Sequence, residues 1–198
     1  MELKRKMEKE GLSKLQAVFR GRRSREIHGK RAKNGAAIVC PFVSANVLVV
    51  DKLLQLVGID KHDTVLDIGS GDGTILIEIA FKFGVQCLGV EIDEVLCRTA
   101  RRRIEERKLS SCIDIIIGDA LYVQPLLKFP SVVTIFLVPS CLKILSPIIL
   151  ASCKSGTKIV NIKFPMPEED GWIALNTIEC EDVVKPGSLT KIYLYVIN

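Results

Sequence analysis

Hydrophobic positions along this chain follow first a helical spacing and then a strand spacing. Apolar residues recur at helical intervals from Val47 to Val57, between Ser44, an expected N-cap, and Gly58, which predicts a buried helix. Short apolar runs then alternate with longer amphipathic segments. Strands are expected at 64–69, 86–91, 113–118, 132–138, 157–164 and 189–197, and helices at 73–83, 93–108 and 140–152.

The alternation of these elements indicates the fold class. Continuous apolar strands separated by helices are typical of a parallel sheet that is covered on both faces. Right-handed crossovers place the carboxyl end of every parallel strand at one edge, and ligands bind at that edge where the strand order reverses. We therefore expect residues 40–198 to form an α/β domain, Rossmann-like and doubly wound, with a mostly parallel sheet and helices on both faces.

The first 33 residues differ from the rest in charge and in pattern. They hold 12 Lys or Arg and 4 Asp or Glu, whereas the remaining residues hold 16 and 19. Leu12, Leu15, Phe19 and Ile27 fall near one helical face, which predicts a basic N-terminal helix over residues 1–33. Because the domain itself is slightly acidic, its charge does not suggest nucleic-acid binding.

Residues 15–25 of this extension, "LQAVFRGRRSR", resemble an IQ motif, the helix that calmodulin and related light chains bind. A basic amphipathic helix is also typical of other calmodulin targets and of membrane surfaces. An Arg-rich mitochondrial targeting segment and a solvated helix without a partner are alternatives, although four acids argue against targeting. We predict a calmodulin-like EF-hand partner. The matching positions are Leu15, Gln16, Arg20, Gly21 and Arg25.

Composition excludes several other classes of protein. The apolar runs are shorter than the roughly 20 residues of a membrane span, and charge follows Met1 where a secretory signal is apolar, so neither a transmembrane segment nor secretion is expected. The seven cysteines include no C-x-x-C pair, which favours free thiols in a reducing compartment. His28 and His62 have no neighbours at ligand spacing, so no metal site is predicted.

The tips of the first three predicted strands carry the candidate chemistry. Residues 67–73, "DIGSGDG", turn from a strand into a helix, and their glycines allow close approach of a ligand to backbone N–H groups. Glu91 ends the second strand, where a carboxylate can accept from both ribose hydroxyls. Asp119 follows the third strand and could accept from an adenine amino group. The plainer role of each acid is a helix cap, which we expect of Asp93.

These segments resemble a known superfamily. "VLDIGSGDG", "GVEID" and "IIIGDA" are similar to motifs I, II and III of class I S-adenosylmethionine-dependent methyltransferases, over residues 40–198. "CPFVS", "FLVP" and "FPM" with Trp172 further resemble small protein-lysine methyltransferases. The characterised eukaryotic members of that family act on mitochondrial inner-membrane proteins, such as the ATP synthase c-subunit and the adenine nucleotide translocase. Ser44 stands where the family has a second proline.

The resemblance implies S-adenosylmethionine as the cofactor and a protein lysine as the acceptor. Val138 and Pro139 would border the acceptor pocket, no general base is assigned, and the acids at 168–170 could steer a cationic target. An RNA or small-molecule acceptor and a non-catalytic cofactor-binding module remain alternatives, and the compartment is expected to be cytoplasmic or mitochondrial. The resemblance implies that Asp67, Gly69 and Gly71 line the methionine end of the cofactor. The implied cofactor-binding residues are Phe42, Asp67, Gly69, Ser70, Gly71, Glu91, Ile92, Asp119 and Ala120.

Overall fold

The computed structural model describes residues 42–182 and 187–198. Helices and strands alternate along most of this length. Four α-helices are present in the described residues: α1 (Val47–Val57), α2 (Thr74–Phe83), α3 (Glu94–Glu106) and α4 (Pro139–Ser152). The strands are β1 (Thr64–Ile68), β2 (Gln86–Glu91), β3 (Ile113–Ile117), β4 (Val132–Ile135), β5 (Lys158–Ile162), β6 (Trp172–Glu181) and β7 (Leu189–Ile197), with a 3₁₀ turn at Ala120–Tyr122.

The strands form one seven-stranded sheet in the order β3-β2-β1-β4-β5-β7-β6. The first five of these strands pair in parallel, and β7 runs antiparallel to both β5 and β6. The strand order reverses between β1 and β4, where such sheets leave a crevice at their carboxyl edge. The prediction of a doubly wound, mostly parallel α/β sheet is confirmed.

Hydrophobic side chains fill both sides of the sheet. Successive residues of a strand point to opposite faces, and Val65 and Leu66 of β1 accordingly belong to different apolar clusters. One cluster joins the sheet to α1, α2 and α3, and the other joins it to α4 and to the segment after the 3₁₀ turn. The helices therefore cover both faces, as the continuous apolar strands predict.

The cap of α1 and the presence of β6 differ from the sequence prediction. The N-cap of α1 is Asn46, whose side chain accepts from the N–H of Val49 at 2.9 Å, whereas Ser44 makes a different contact. Strand β6 was not predicted, because most of its side chains are exposed and its polar residues interrupt any apolar pattern. It is an edge strand paired with β7, with an irregular register between Ala174 and Asn176. Helix α1 packs across β6, β7 and β5.

The predicted basic helix of residues 1–33 lies outside the described residues. The IQ-like positions Leu15, Gln16, Arg20, Gly21 and Arg25, and the division between residues 33 and 40, therefore stay predictions from the sequence. Among the residues that the structure does describe, none of the helices combines the length and the apolar character that crossing a membrane requires.

Candidate active site

A cavity of about 620 Å³ lies at the carboxyl edge of the sheet. Its walls are the segment before α1, the loop of residues 69–73 after β1 (the glycine loop), the tips of β2 and β3, and the loop after β4. Its volume falls within the range of about 300–1,000 Å³ that is usual for small-molecule sites. The cavity is lined by every cofactor-binding residue that the sequence implied, namely Phe42, Asp67, Gly69, Ser70, Gly71, Glu91, Ile92, Asp119 and Ala120.

Two glycines give the loop after β1 its shape. Gly69 and Gly71 have φ angles of 78° and 54°, in the left-handed region that favours glycine. The N–H of Gly69 donates to the carbonyl of Val90 at 2.8 Å, which ties the loop to β2. A Cβ atom at Gly69 would lie 2.8 Å from Leu137 Cδ2, and one at Gly71 would lie 2.5 Å from Phe42 Cε2. The backbone conformation therefore favours glycine at both positions, and a larger residue would also have to displace the side chain of Leu137 or Phe42.

Glu91 binds three backbone N–H groups from the tip of β2. Its Oε2 accepts from Gly71 at 2.9 Å, and its Oε1 accepts from Ile92 at 2.7 Å and from Asp93 at 2.8 Å. A carboxylate has about four acceptor positions, so roughly one is left for a ligand hydroxyl. This geometry therefore leaves Glu91 room for about one hydrogen bond to a ribose hydroxyl, rather than for the two that the sequence predicts. Glu91 holds the glycine loop and can accept about one further hydrogen bond.

Asp67, at 1 % exposure, is the most deeply buried acid of the cavity lining. Its Oδ1 accepts from Thr134 Oγ1 at 2.7 Å, and its Oδ2 has no hydrogen-bond partner among the described residues. Burial raises the pKa of Asp67 to about 7, the hydrogen bond from Thr134 opposes this rise, and the charges of Glu91 and Asp72 add to it. A buried carboxyl group that titrates near neutrality is a common feature of binding sites.

Asp72 connects three segments around the cavity. Its Oδ2 accepts from Ser44 Oγ at 3.1 Å and lies 2.5 Å from Nη1 of Arg103 on α3, while its Oδ1 accepts from Thr74 Oγ1 at 2.8 Å. Arg103 Nη1 also donates to the carbonyl of Asp72 at 3.0 Å. No sequence signal indicated this cluster, because Arg103 belongs to a charged helix whose pattern does not reveal a distant partner.

Two further acids of the lining act as helix caps. Asp93 caps α3 and accepts from the N–H groups of Val95 at 2.7 Å and Leu96 at 3.2 Å, which confirms its predicted role. Asp119 caps the 3₁₀ turn, with its Oδ1 accepting from the N–H of Leu121 at 2.9 Å. Both residues also line the cavity. The contact of Asp119 with an adenine amino group stays a prediction.

The predicted border of the acceptor pocket lies slightly outside the cavity. Val138 is the N-cap of α4 and Pro139 begins that helix with an exposed side chain, and neither residue lines the cavity. Phe136 and Leu137, directly before them, form the wall after β4 together with Cys141. Two residues of the "FLVP" segment, Phe136 and Leu137, thus line the cavity, and the role of Val138 and Pro139 in binding the acceptor stays a prediction.

The acids at 168–170 line a separate cavity of about 680 Å³ with Trp172 and Tyr195. Trp172 is half-buried, and its Nε1 donates to Ser146 Oγ at 3.1 Å, which holds the ring against α4. None of these residues lines the cavity that contains Asp67. The structure therefore does not bring the acidic loop and the predicted cofactor residues together.

Negative charge dominates the lining of the first cavity. Among the described residues that line it, Arg98 is the one basic side chain. Two of the acidic lining residues are paired with arginines, Asp72 with Arg103 and Glu94 with Arg98. The acidic lining residues are Asp67, Asp72, Glu91, Asp93, Glu94 and Asp119.

Known proteins are similar to this chain in sequence. A family model described as the ANTKMT methyltransferase domain matches residues 67–171. A protein-lysine N-methyltransferase of Saccharolobus islandicus is 33% identical over 160 residues, which cover 80% of this chain and 94% of that protein. An adenine nucleotide translocase lysine N-methyltransferase of Mus musculus is 29% identical over 128 residues, which cover 64% of this chain and 54% of that protein.

A solved structure is similar in fold and sequence. It is an RNA methyltransferase from Salinibacter ruber in complex with S-adenosyl-L-homocysteine. It superposes with a TM-score of 0.69 at 30% sequence identity, covering 78% of this chain and 94% of that chain. Its ligand is the product that remains when S-adenosylmethionine has given up its methyl group.

Proposed function

Because the chain belongs to the ANTKMT methyltransferase domain family, we propose that it transfers a methyl group from S-adenosylmethionine to a lysine amine of a protein. Methyltransferase activity and the cofactor follow from the family and from the similarity to a methyltransferase bound to S-adenosylhomocysteine. The acceptor is the proposed part. Two relatives named as lysine N-methyltransferases support it.

The polar atoms that line the cavity fit this cofactor. S-Adenosylmethionine has a charged amino-acid end, a ribose with two hydroxyl groups and an adenine. Asp67 Oδ2 and Ser70 Oγ are buried without hydrogen-bond partners among the described residues, and a ligand with donors would satisfy them. Glu91 has about one acceptor position left for a ribose hydroxyl.

The chain contributes orientation and exclusion of water. The cofactor supplies a methyl group that is already activated on a sulfonium, so no nucleophile from the protein is needed. Holding the two reactants in line can lower the barrier by about 7–11 kcal/mol. Phe136 and Leu137 present apolar surface in the cavity. Apolar surroundings disfavour the charged form of a lysine, whose pKa is ordinarily about 10.4, and so increase the neutral fraction that can attack.

The observation that carries a lysine acceptor is the similarity to the Saccharolobus islandicus protein-lysine N-methyltransferase, which is 33% identical over 80% of this chain and 94% of that protein. RNA is the second candidate acceptor, because the Salinibacter ruber relative carries that name at 30% identity.

Methyl transfer to a cell extract tests the proposal. The full chain is incubated with methyl-labelled S-adenosylmethionine and an extract, and the product is divided between protease and ribonuclease treatment. Label that is sensitive to protease and elutes as methyl-lysine after acid hydrolysis supports the proposal. Label that is released by ribonuclease contradicts it and favours RNA. Glu91→Ala serves as the inactive variant, and Glu179→Ala on β6, an exposed Glu paired with Lys191, is its matched control.

We also propose, from the sequence pattern alone, that a calmodulin-like protein binds residues 1–33. A pull-down with calmodulin, with and without calcium, compares Arg20→Ala/Arg25→Ala with Arg22→Ala/Arg23→Ala. Both double variants lose the same charge, but the first pair alone belongs to the IQ-like pattern. Equal binding of the two variants would exclude an IQ-type contact.

Imaging of the tagged chain tests the proposed cytoplasmic or mitochondrial location.

A further inference from the structure

Thr134 carries a buried hydroxyl group beneath the cavity. It lies on β4 directly opposite Asp67 on β1, and its side chain is 0 % exposed. Its neighbours on the strand are Val132, Val133 and Ile135, which are all apolar. The hydroxyl donates to Asp67 Oδ1 at 2.7 Å. Thr134 is not among the residues that line the cavity, so any effect on a ligand must pass through Asp67.

This hydrogen bond makes the two oxygens of Asp67 different. Oδ1 is occupied by Thr134, whereas Oδ2 is buried and has no partner among the described residues. A buried acceptor without a hydrogen bond is costly and uncommon in folded proteins, so Oδ2 is a candidate to accept from a ligand donor. The position of one hydroxyl therefore fixes the plane of the carboxylate and decides which of its oxygens remains available.

We propose that Thr134 is a positioning residue, which orients Asp67 and keeps it ionised beneath the amino-acid end of the cofactor. The inference rests on the proposed function, because it takes this cavity to hold S-adenosylmethionine. The positive ammonium group of that cofactor requires a negative carboxylate near it. A neutral carboxylic acid at Asp67 would not supply the attraction.

The charged groups around Asp67 disfavour its ionised form, which the hydrogen bond from Thr134 favours. Glu91 at the tip of β2 and Asp72 in the glycine loop are negative, and both disfavour a second negative charge nearby. Burial raises the pKa of Cys87 on β2, the charge of Asp67 raises it further, and this thiol adds no positive charge near Asp67. Arg103 reaches this region from α3, but it is paired with Asp72. The hydrogen bond from Thr134 works in the opposite direction and lowers the pKa of Asp67.

Calorimetric titration with S-adenosylmethionine, from about pH 5.5 to pH 9, tests this role. The full chain is compared with Thr134→Val, which keeps the shape and removes the hydroxyl, and with Thr134→Ser, which keeps the hydroxyl. Loss of the hydrogen bond should raise the pH midpoint of binding by about one unit. At pH 7 the affinity of Thr134→Val should fall about fivefold, and near pH 9 it should approach that of the unmodified chain. Thr134→Ser should resemble the unmodified chain.

The outcomes separate this inference from the proposed function. If the unmodified chain binds the cofactor at no pH, the proposed function fails and the inference fails with it. If the chain binds the cofactor but Thr134→Val has the same pH midpoint of binding, the positioning role is overturned. A loss of affinity by the same factor at every pH also overturns it, because a general packing defect predicts that result. Circular dichroism checks folding, and Thr134→Ala gives a second variant without the hydroxyl if Thr134→Val does not fold.

Discussion

The backbone N–H of Gly71 donates a hydrogen bond of 2.9 Å to the carboxylate of Glu91, and this bond joins the glycine loop to the tip of β2. The same carboxylate accepts from the N–H groups of Ile92 and Asp93. Hydrogen bonds to a charged acceptor are stronger than those between neutral groups. The shape of the cavity therefore depends on one side chain that comes from a neighbouring strand.

Replacement of Glu91 by Ala should affect both stability and cofactor binding. Three backbone N–H groups lose their acceptor, and we expect the free energy of unfolding to fall by about 2–4 kcal/mol. Cofactor affinity should fall about a hundredfold or more, because the loop is no longer fixed. Denaturant unfolding and calorimetry measure these changes. Glu179→Ala, at an exposed position of β6, should change stability by less than about 0.5 kcal/mol, and an equal loss in both variants would contradict the assignment.

Asp67→Asn should stabilise the protein without cofactor at alkaline pH. The pKa of Asp67 is about 7 in the folded state and 3.8 for an ordinary Asp, so folding takes up a proton between these values. The free energy of unfolding of the unmodified chain therefore falls as the pH rises from about 4 to 7, by up to about 4 kcal/mol from this group.

The Asn variant lacks this titration. It should match the unmodified chain near pH 4 and exceed its stability at pH 8, while its affinity for S-adenosylmethionine falls because the charge is gone. Denaturant unfolding at the two pH values measures the difference. A stability difference that is the same at both pH values would show that Asp67 does not titrate in this window.

Gly71→Ala should damage the site in two separable ways. Its φ of 54° is unfavourable for alanine, at about 1–2 kcal/mol, and the new Cβ would lie 2.5 Å from Phe42 Cε2. The double variant with Phe42→Ala removes the clash and keeps the backbone strain. It should therefore recover part of the lost stability, measured by denaturant unfolding in a double-mutant cycle. Additive losses in the cycle would contradict the contact between the two residues.

Arg103→Ala should loosen the connection between α3 and the glycine loop. Arg103 contacts both the carboxylate and the carbonyl of Asp72, and its loss should lower stability by about 1 kcal/mol and weaken cofactor binding several-fold. Arg102 is the matched control, because its pair with Glu106 is highly exposed. Arg102→Ala should leave thermal unfolding and binding nearly unchanged, and a reversed order of effects would argue against the Asp72 cluster.

Two alanine variants test which residues border the acceptor. Leu137 lines the cavity and Val138 does not. We expect Leu137→Ala to lower kcat about tenfold or more with little change in cofactor affinity, because the wall that excludes water and guides the amine is incomplete. Val138→Ala should have a smaller effect on labelled-methyl transfer. A larger effect of Val138→Ala would instead support the sequence prediction that Val138 and Pro139 border the acceptor pocket.

The parallel part of the sheet was predictable from the sequence because each of its strands is buried on both faces. Thus β2 occupies its expected range, and β1 differs from its expected range by one residue. The antiparallel strand β7 also occupies its expected range, because apolar and polar residues alternate along it. Strand β4 ends at Ile135 rather than at residue 138, because the chain leaves the sheet before Pro139 begins α4. Strand β6 escaped prediction because an exposed edge strand has no buried face to impose a pattern.

The grouping of the predicted residues around one cavity was also predictable, since consecutive strand tips carry them in order. The contacts between tips were not, because a sequence does not state which N–H group a carboxylate accepts from. Glu91 is the example, since the lone acid of a strand tip reaches back to Gly71. Thr134 is another example. The sequence shows only one hydroxyl residue in an apolar strand, and the fold is needed to show that it lies beside Asp67.

Helix α1 packs on the hairpin of β6 and β7, although these elements come from opposite ends of the described chain. The segment directly before α1 carries Phe42 and Ser44 to the cavity. During synthesis, the ribosome makes the glycine loop and the first strand tips well before it makes the residues of this hairpin. The wall that holds Phe42 therefore gains its support last, so cofactor capture is expected to follow synthesis rather than accompany it.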